Sequence, residues 1–197
     1  SLIYIKILQI LIKKIVMNVY VLRHGQTNWN AKQVVQGKMN ESHLDETGIK
    51  QATAIREKLL NNVFDAVLVS PLHRAQETAK IVNNGIRKYD IDERLTERSY
   101  GDFEGHNYDI YPNYNDLWDY NIIDTSKIGN IEPVKVFFDR IQDVINELKT
   151  KYPDGNVLLI CHGGICRAIH YLNKGFDNET DLLQFHANNC QLDIYEF

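Results

Sequence analysis

The sequence predicts a three-layer α/β/α fold with a mostly parallel central sheet. Three observations carry this. Short apolar runs rich in β-branched residues alternate with longer stretches of helical periodicity, and turn or polar residues bound each run. Histidine, arginine and glycine also cluster just beyond the carboxyl ends of the runs, where folds of this kind bind ligands.

Residues 19–22 read as the first strand, ending at Arg23-His24-Gly25. A helix is expected over residues 48–61, capped by Thr47, with Ile49, Ala52, Ile55 and Leu59 on one face. Residues 63–69 form the second strand, after which Pro71 opens a helix that Gly85 ends. A third helix spans about residues 133–152, where Val136, Phe137, Ile141, Val144, Ile145 and Leu148 recur at helical spacing as a core face. Residues 157–161 are a further strand, a fourth helix starts at Gly163 with Ile165, Ile169 and Leu172, and residues 192–197 close the sheet. There is no internal repeat or low-complexity segment.

With 197 residues and 44% hydrophobic content the chain has the material for one sizeable core, and residues 17–197 are expected to form one domain. Lysine and arginine number 22 against 26 acidic residues, so no global basic field exists to hold nucleic acid or an anionic membrane. Affinity for an anion must come from a local cluster. Three cysteines without a framework of spacings fit a reducing, cytoplasmic compartment. Residues 1–16 are an apolar N-terminal extension broken by Lys6, Lys13 and Lys14, too short and too charged for a membrane span. The lysine pair comes last, the reverse of a signal peptide. Apolar sequence of this kind must be covered, by its own domain or by a second copy in a homodimer. It is expected to be dispensable for chemistry, since every candidate group lies at Arg23 or later.

Four chemistry-bearing pieces stand in order: Arg23-His24-Gly25, Ser70-Pro71-Leu72-His73-Arg74-Ala75, Thr96-Glu97-Arg98 and Cys161-His162-Gly163-Gly164. Arginine is a fixed cation whose planar fork suits phosphate oxygens, and a neutral imidazole can attack phosphorus. Gly163 and Gly164 open a helix whose N–H groups and dipole favour an anion. The expected partner is a small phosphorylated substrate.

These pieces resemble the signatures of the histidine phosphatase superfamily, also described as the phosphoglycerate mutase-like fold. Arg-His-Gly-Gln-Thr-Asn-Trp-Asn at 23–30 is similar to its R-H-G-[E/Q]-[S/T]-x-x-N element, and Gln36-Gly37, residues 70–79, residues 97–105 and His162-Gly163-Gly164 have counterparts as well. The resemblance implies that His24 forms a phosphohistidine, that Arg23, Arg74 and His162 surround the phosphoryl oxygens, and that Glu97 is the acid that protonates the leaving group. Glu93 is the decoy in the same charged loop, and only the E-x-x-x-G-x-x-E-G spacing selects Glu97. Asn30, Gln36, Gly37 and Tyr100 fall at substrate-contact positions. No metal or other cofactor is implied, and Cys161, His162 and Cys166 lack the spacing of a zinc site.

Two other readings compete. Cys161 to Arg167 satisfies the C-x5-R spacing of cysteine-dependent phosphatases, but it leaves Arg23, His24, Arg74 and Glu97 unexplained, and Ile160 stands where that family places a histidine. A phosphate-binding pseudoenzyme would lack the nucleophile or the acid, and both are present. Within the superfamily, a phosphatase is expected in preference to a phosphoglycerate mutase. Residues 99–134, where mutases carry a basic insertion, hold one basic residue, Lys127, against seven acids, and the His-Gly-Gly ending resembles the phosphatases. Phe103, Tyr108, Tyr111, Tyr114, Trp118 and Tyr120 are expected to wall the pocket for a neutral or aromatic ester.

Overall fold

A computed structural model describes residues 15–197 except 112 and 114; the expected extension lies outside the described residues apart from Ile15 and Val16. Strands β1 (Asn18–Arg23), β2 (Ala66–Val69), β3 (Asp90–Ile91), β4 (Asn156–Cys161) and β5 (Leu192–Glu196) form one sheet in the order β3-β2-β4-β1-β5. All neighbours pair in parallel except β5, which runs antiparallel along β1. The alternation of strand and helix therefore yields the mostly parallel sheet that the sequence predicts.

Helices cover both faces. On one, α2 (Glu46–Leu59) and α3 (His73–Asn83) bring Ala52, Ile55, Leu59, Ala75, Ala79 and Val82 against Leu22, Leu158 and Ile160. On the other, α4 (Val134–Lys151) and α5 (Gly163–Lys174) bring Phe137, Ile141, Ile145, Ile165 and Ile169 against Val19, Val21, Val157 and Leu159. Alternate residues of β4 thus enter opposite cores, as the pleat requires. A four-residue helix α1 (Asn28–Ala31), capped reciprocally by Thr27 and Asn30, follows the Arg23-His24-Gly25 turn and carries no hydrophobic signal by which sequence could announce it.

Several boundaries differ from expectation for local reasons. Asp45, not Thr47, caps α2, its carboxylate accepting from the Gly48 N–H at 2.8 Å. On the buried face Gly48 takes the place expected of Ile49, which faces solvent and is 48% exposed. There Gly48 meets Gly25, where a Cβ would lie 2.7 Å from the Gly48 carbonyl oxygen, so glycine lets the turn after β1 pack against α2. The second strand begins at Ala66 instead of residue 63, leaving Val63 81% exposed. Helix α3 starts two residues after Pro71, and Asn84, in the left-handed region at φ 45°, ends it one residue ahead of Gly85. Val136 lies on the exposed face of α4 while its other expected core residues are buried.

Candidate active site

Strand register assembles the site. Arg23 pairs with Cys161 and Val69 with Ile160, so β1, β2 and β4 end level. The backbone continues that pairing, with His24 N–H donating to the Cys161 carbonyl at 3.0 Å and Ser70 N–H to that of Ile160 at 3.1 Å. His24 and His162 consequently lie side by side, ring centres 5.3 Å apart, and His162 Nε2 is 2.6 Å from Ser70 Oγ. Thr78 of α3 ties the turn down by accepting from the Gly25 N–H at 3.1 Å while donating to the Arg74 carbonyl at 2.7 Å.

His24 is 3% exposed, and its Nδ1 lies 2.8 Å from the carbonyl oxygen of Gly25. A carbonyl can only accept, so this bond places the proton on Nδ1 and leaves the Nε2 lone pair free. Burial, then the charges of Arg74 and Arg23, hold the His24 pKa well below the ordinary histidine value of 6.5. The imidazole is therefore neutral and nucleophilic at neutral pH.

The arginines beside it are fixed by main-chain oxygens. Arg74 donates through Nη2 to Gly37 O at 2.7 Å and through Nη1 to Met39 O at 2.8 Å; Arg23 donates through Nη1 to Ala187 O at 2.6 Å. Desolvation lowers the Arg74 pKa to about 10, which still leaves it charged at neutral pH. Arg23 Nε, Arg74 Nε and His162 Nδ1 are buried without a hydrogen-bond partner among the described residues. Such groups are costly unless an acceptor-rich ligand meets them. His162 itself is fully buried and lies behind the surface of the cleft, which Arg23, His24 and Arg74 line directly. Among the described residues no cluster of three or more histidines, cysteines or acidic side chains is placed to hold a metal ion.

Glu97 enters the cleft from the loop before α4. Its Oε1 accepts from the Arg98 N–H at 2.8 Å and its Oε2 from the Gly164 N–H at 2.9 Å. One of the helix N–H groups expected for the anion is thus given to this carboxylate. Glu93 lies on the exposed side of its turn, away from the cleft lining.

The remaining expected residues divide. Asn30, Gln36, Gly37, Tyr100 and Gly163 line the cleft, but Asn30 also closes the α1 cap and accepts from Asn189, and Gln36 accepts from Thr27 and Ser42. Of the expected aromatic wall, Tyr108 and Tyr111 line the cleft. Phe103 and Trp118 are instead buried core, Tyr120 packs on Phe138 and Phe176, and Tyr114 lies outside the described residues. Cys161 is buried in β4, 4.0 Å from Cys166 Sγ, and desolvation pushes its thiol well above the usual range, the reverse of what a thiolate nucleophile needs.

Three cleft residues escape the sequence reading of the pocket, Val35, Arg167 and His186. Arg167 stands one helical turn beyond Gly163, a spacing that places both on one face of α5 and was legible in principle. The charge count over residues 99–134 missed it because another element supplies it. No local pattern marks His186.

The order of the elements and the histidine–arginine cleft at the carboxyl ends of β1 and β4 define a phosphate-handling α/β enzyme. Residues 19–197 match the model of the histidine phosphatase superfamily, branch 1, and the chain belongs to that superfamily as a phosphatase. It is 30% identical over 186 residues to an uncharacterized phosphatase, PhoE, of Bacillus subtilis, covering 89% of this chain and 86% of the relative. It is 32% identical over 162 residues to a metal-independent phosphoserine phosphatase of Arabidopsis thaliana, covering 79% and 68%. Among solved structures, the α-ribazole phosphatase of Shigella flexneri superposes with a TM-score of 0.76 at 27% identity, covering 90% of this chain and 89% of that one.

Proposed function

We propose that the protein is a metal-independent phosphomonoesterase that works through a phosphohistidine on His24. His24 Nε2 attacks phosphorus in line while Arg23 and Arg74, backed by His162 in the layer behind, counter charge on the equatorial oxygens where a loose transition state spreads it. Glu97 acts as the acid, giving a proton to the departing alkoxide as the P–O bond breaks. The resulting carboxylate takes a proton from the water that attacks the phosphohistidine, the P–N bond breaks, and neutral His24 and inorganic phosphate result.

The observation that carries the reading is the setting of Arg23, Arg74 and His162, each with a buried nitrogen that has no hydrogen-bond partner among the described residues, beside an imidazole whose Nε2 is free. A chelator-treated sample incubated with a phosphorus-labelled monoester and quenched in alkali tests it, because phosphohistidine survives base. The wild-type protein should carry alkali-stable label on His24 and release phosphate, and His24→Ala should fold normally, carry no label and lose nearly all turnover. Label retained in the variant, or activity that chelation abolishes and added metal restores, would overturn the proposal.

A further inference from the structure

Ser70, at the carboxyl end of β2, does not line the cleft, yet it holds the histidine that stands behind it. The residue is fully buried, and its Oγ lies 2.6 Å from His162 Nε2. Main-chain bonds fix that oxygen: the Ser70 N–H donates to the Ile160 carbonyl at 3.1 Å, and the Leu72 N–H donates to Ser70 Oγ at 3.3 Å. A hydroxyl carries one proton and two acceptor positions. One acceptor position is taken by Leu72, so the bond to His162 decides where the proton goes.

Counting donors and acceptors sets its direction. Among the described residues, His162 Nε2 is the one acceptor within hydrogen-bond reach of the Ser70 hydroxyl. A proton on His162 Nε2, in the other neutral tautomer or in an imidazolium, would strand the buried Ser70 proton without a partner, which is unfavourable. The hydroxyl therefore donates, and the single proton of neutral His162 sits on Nδ1. That N–H is buried with no partner among the described residues, His24 included. The two nitrogens of an imidazole diverge, so with Nε2 turned to β2 the Nδ1 edge faces away from that strand. On that side of β4, β1 brings Arg23 and His24, whose ring centre is 5.3 Å from that of His162.

From this geometry we propose that Ser70 is a positioning residue: by donating to His162 Nε2 it fixes the tautomer whose N–H, and not its lone pair, faces the phosphoryl site. The inference rests on the phosphomonoesterase reading. A neutral imidazole is a dipole, positive at its N–H and negative at its lone pair, so the tautomer decides whether the ring stabilises or repels charge on the phosphoryl oxygens. A dipole set in advance acts from the layer behind the cleft and needs no reorganisation when charge develops. His24 has the complementary setting, its Nδ1–H held by the Gly25 carbonyl at 2.8 Å and its Nε2 lone pair left free. Two adjacent neutral histidines thus take opposite parts, nucleophile and donor, because one is held by a carbonyl and the other by a hydroxyl.

The test joins a direct reading of the tautomer to a double-mutant cycle. Nitrogen NMR of protein labelled at histidine separates the two tautomers, and the His162 signals are assigned by their loss in His162→Gln. The wild-type protein should carry the His162 proton on Nδ1. Ser70→Ala should mix or reverse the tautomers and lower kcat/KM for a phosphate monoester by roughly 10- to 100-fold, the range for outer-shell partners that fix a metal-ligating imidazole. Ser70→Thr, which restores the hydroxyl, should recover most of that rate. Since Ser70 acts through His162, the double variant Ser70→Ala/His162→Gln should be no slower than His162→Gln alone. A folded Ser70→Ala protein with wild-type kcat/KM, losses that multiply in the double variant, or a wild-type His162 proton on Nε2 would overturn the inference alone, with hydrolysis and label on His24 intact. If Ser70→Ala does not fold, the wild-type tautomer decides. A wild-type protein that hydrolyses no monoester and takes no label on His24 would overturn the phosphomonoesterase reading and this inference with it.

Discussion

Replacing Gly164 by alanine tests the acid role of Glu97 without touching Glu97. A Cβ at Gly164 would lie 2.3 Å from Glu97 Oε1 and 3.2 Å from its Cδ, with Phe137 Cζ behind it at 3.3 Å. The carboxylate is the flexible partner, so it must retreat by about 1 Å to reach ordinary van der Waals contact. Its bond from the Gly164 N–H, now 2.9 Å, would stretch or break at a cost of about 1 kcal/mol, while alanine favours the helix by up to about 1 kcal/mol over glycine. Stability should therefore stay within about 1 kcal/mol of wild type. A misplacement of about 1 Å at a reacting group can cost on the order of 100-fold in rate. That loss should appear in kcat for an alkyl phosphate, whose leaving oxygen needs a proton, and should shrink to about 10-fold or less for p-nitrophenyl phosphate, whose leaving group does not. Glu97→Gln should show the same leaving-group pattern with a larger loss, about 10²- to 10⁴-fold on the alkyl ester. A folded Gly164→Ala protein that hydrolyses both esters within about twofold of wild type, or loses both equally, would refute the acid assignment.

The lowered His24 pKa places the acid limb of kcat/KM below pH 6.5, because protonation removes the nucleophilic lone pair; a limb at or above 6.5 would contradict the burial argument. His162 is lowered too, by burial and by Arg74, so both histidines are neutral when folded and take up protons near 6.5 when unfolded. Their stability contribution is complete above that value and lost as pH falls below it, with a slope approaching ~2.7 kcal/mol per pH unit for two protons. Chemical denaturation between pH 7.5 and 5 reads the slope, to which His170 and His186, also lowered by burial, add, and His24→Gln should reduce it by up to ~1.4 kcal/mol per pH unit. Cys161→Ser should retain turnover within a few-fold, since the thiol is buried and kept protonated; loss of activity in a folded Cys161→Ser protein would reopen the cysteine mechanism.

Legibility in the sequence followed the physics of each feature. Strands β1, β2 and β4 were readable because each buries both faces and so is a continuous apolar run, and the residues just past them follow from chain direction alone. The two-residue β3 and the four-residue α1 carry no periodicity and could not be found that way. The cap of α2 was misplaced because Asp45 and Thr47 are both competent cap residues, and only Gly48 packing on the Gly25 turn selects between them. Arg23, His24, Arg74, Glu97, Asn30, Gln36, Gly37, Tyr100 and Gly163, singled out by motif, line one cleft, whereas His162 stands one layer behind it. The distal wall was misread because composition counted along one segment cannot register side chains that other elements bring to the same place. Phe103 and Trp118 left that wall for the core, and Arg167 entered it from α5.

How the arginines are held explains why charge in the cleft remains available to a ligand. Away from it, Arg140 is paired with Glu132 at 2.9 Å and Arg94 with Asp92 at 2.7 Å and Glu147 at 2.8 Å, and these pairs neutralise themselves. Within the cleft, Arg23, Arg74 and Arg167 are oriented by the carbonyls of Ala187, Gly37, Met39 and Phe185. A carbonyl fixes direction through a dipole without cancelling a unit charge, so preorganisation is obtained while the field that an incoming dianion meets is preserved. Replacing those acceptors by carboxylates would hold the guanidinium groups as firmly and make the ligand compete with an internal anion. Burial first, and then the same field, keep His24 neutral, since an imidazolium beside Arg74 and Arg23 is disfavoured on the same grounds that a phosphoryl group is favoured. On the proposed phosphohistidine route, nucleophile activation and anion recognition would then share part of their cause, and removing either arginine's charge should weaken both.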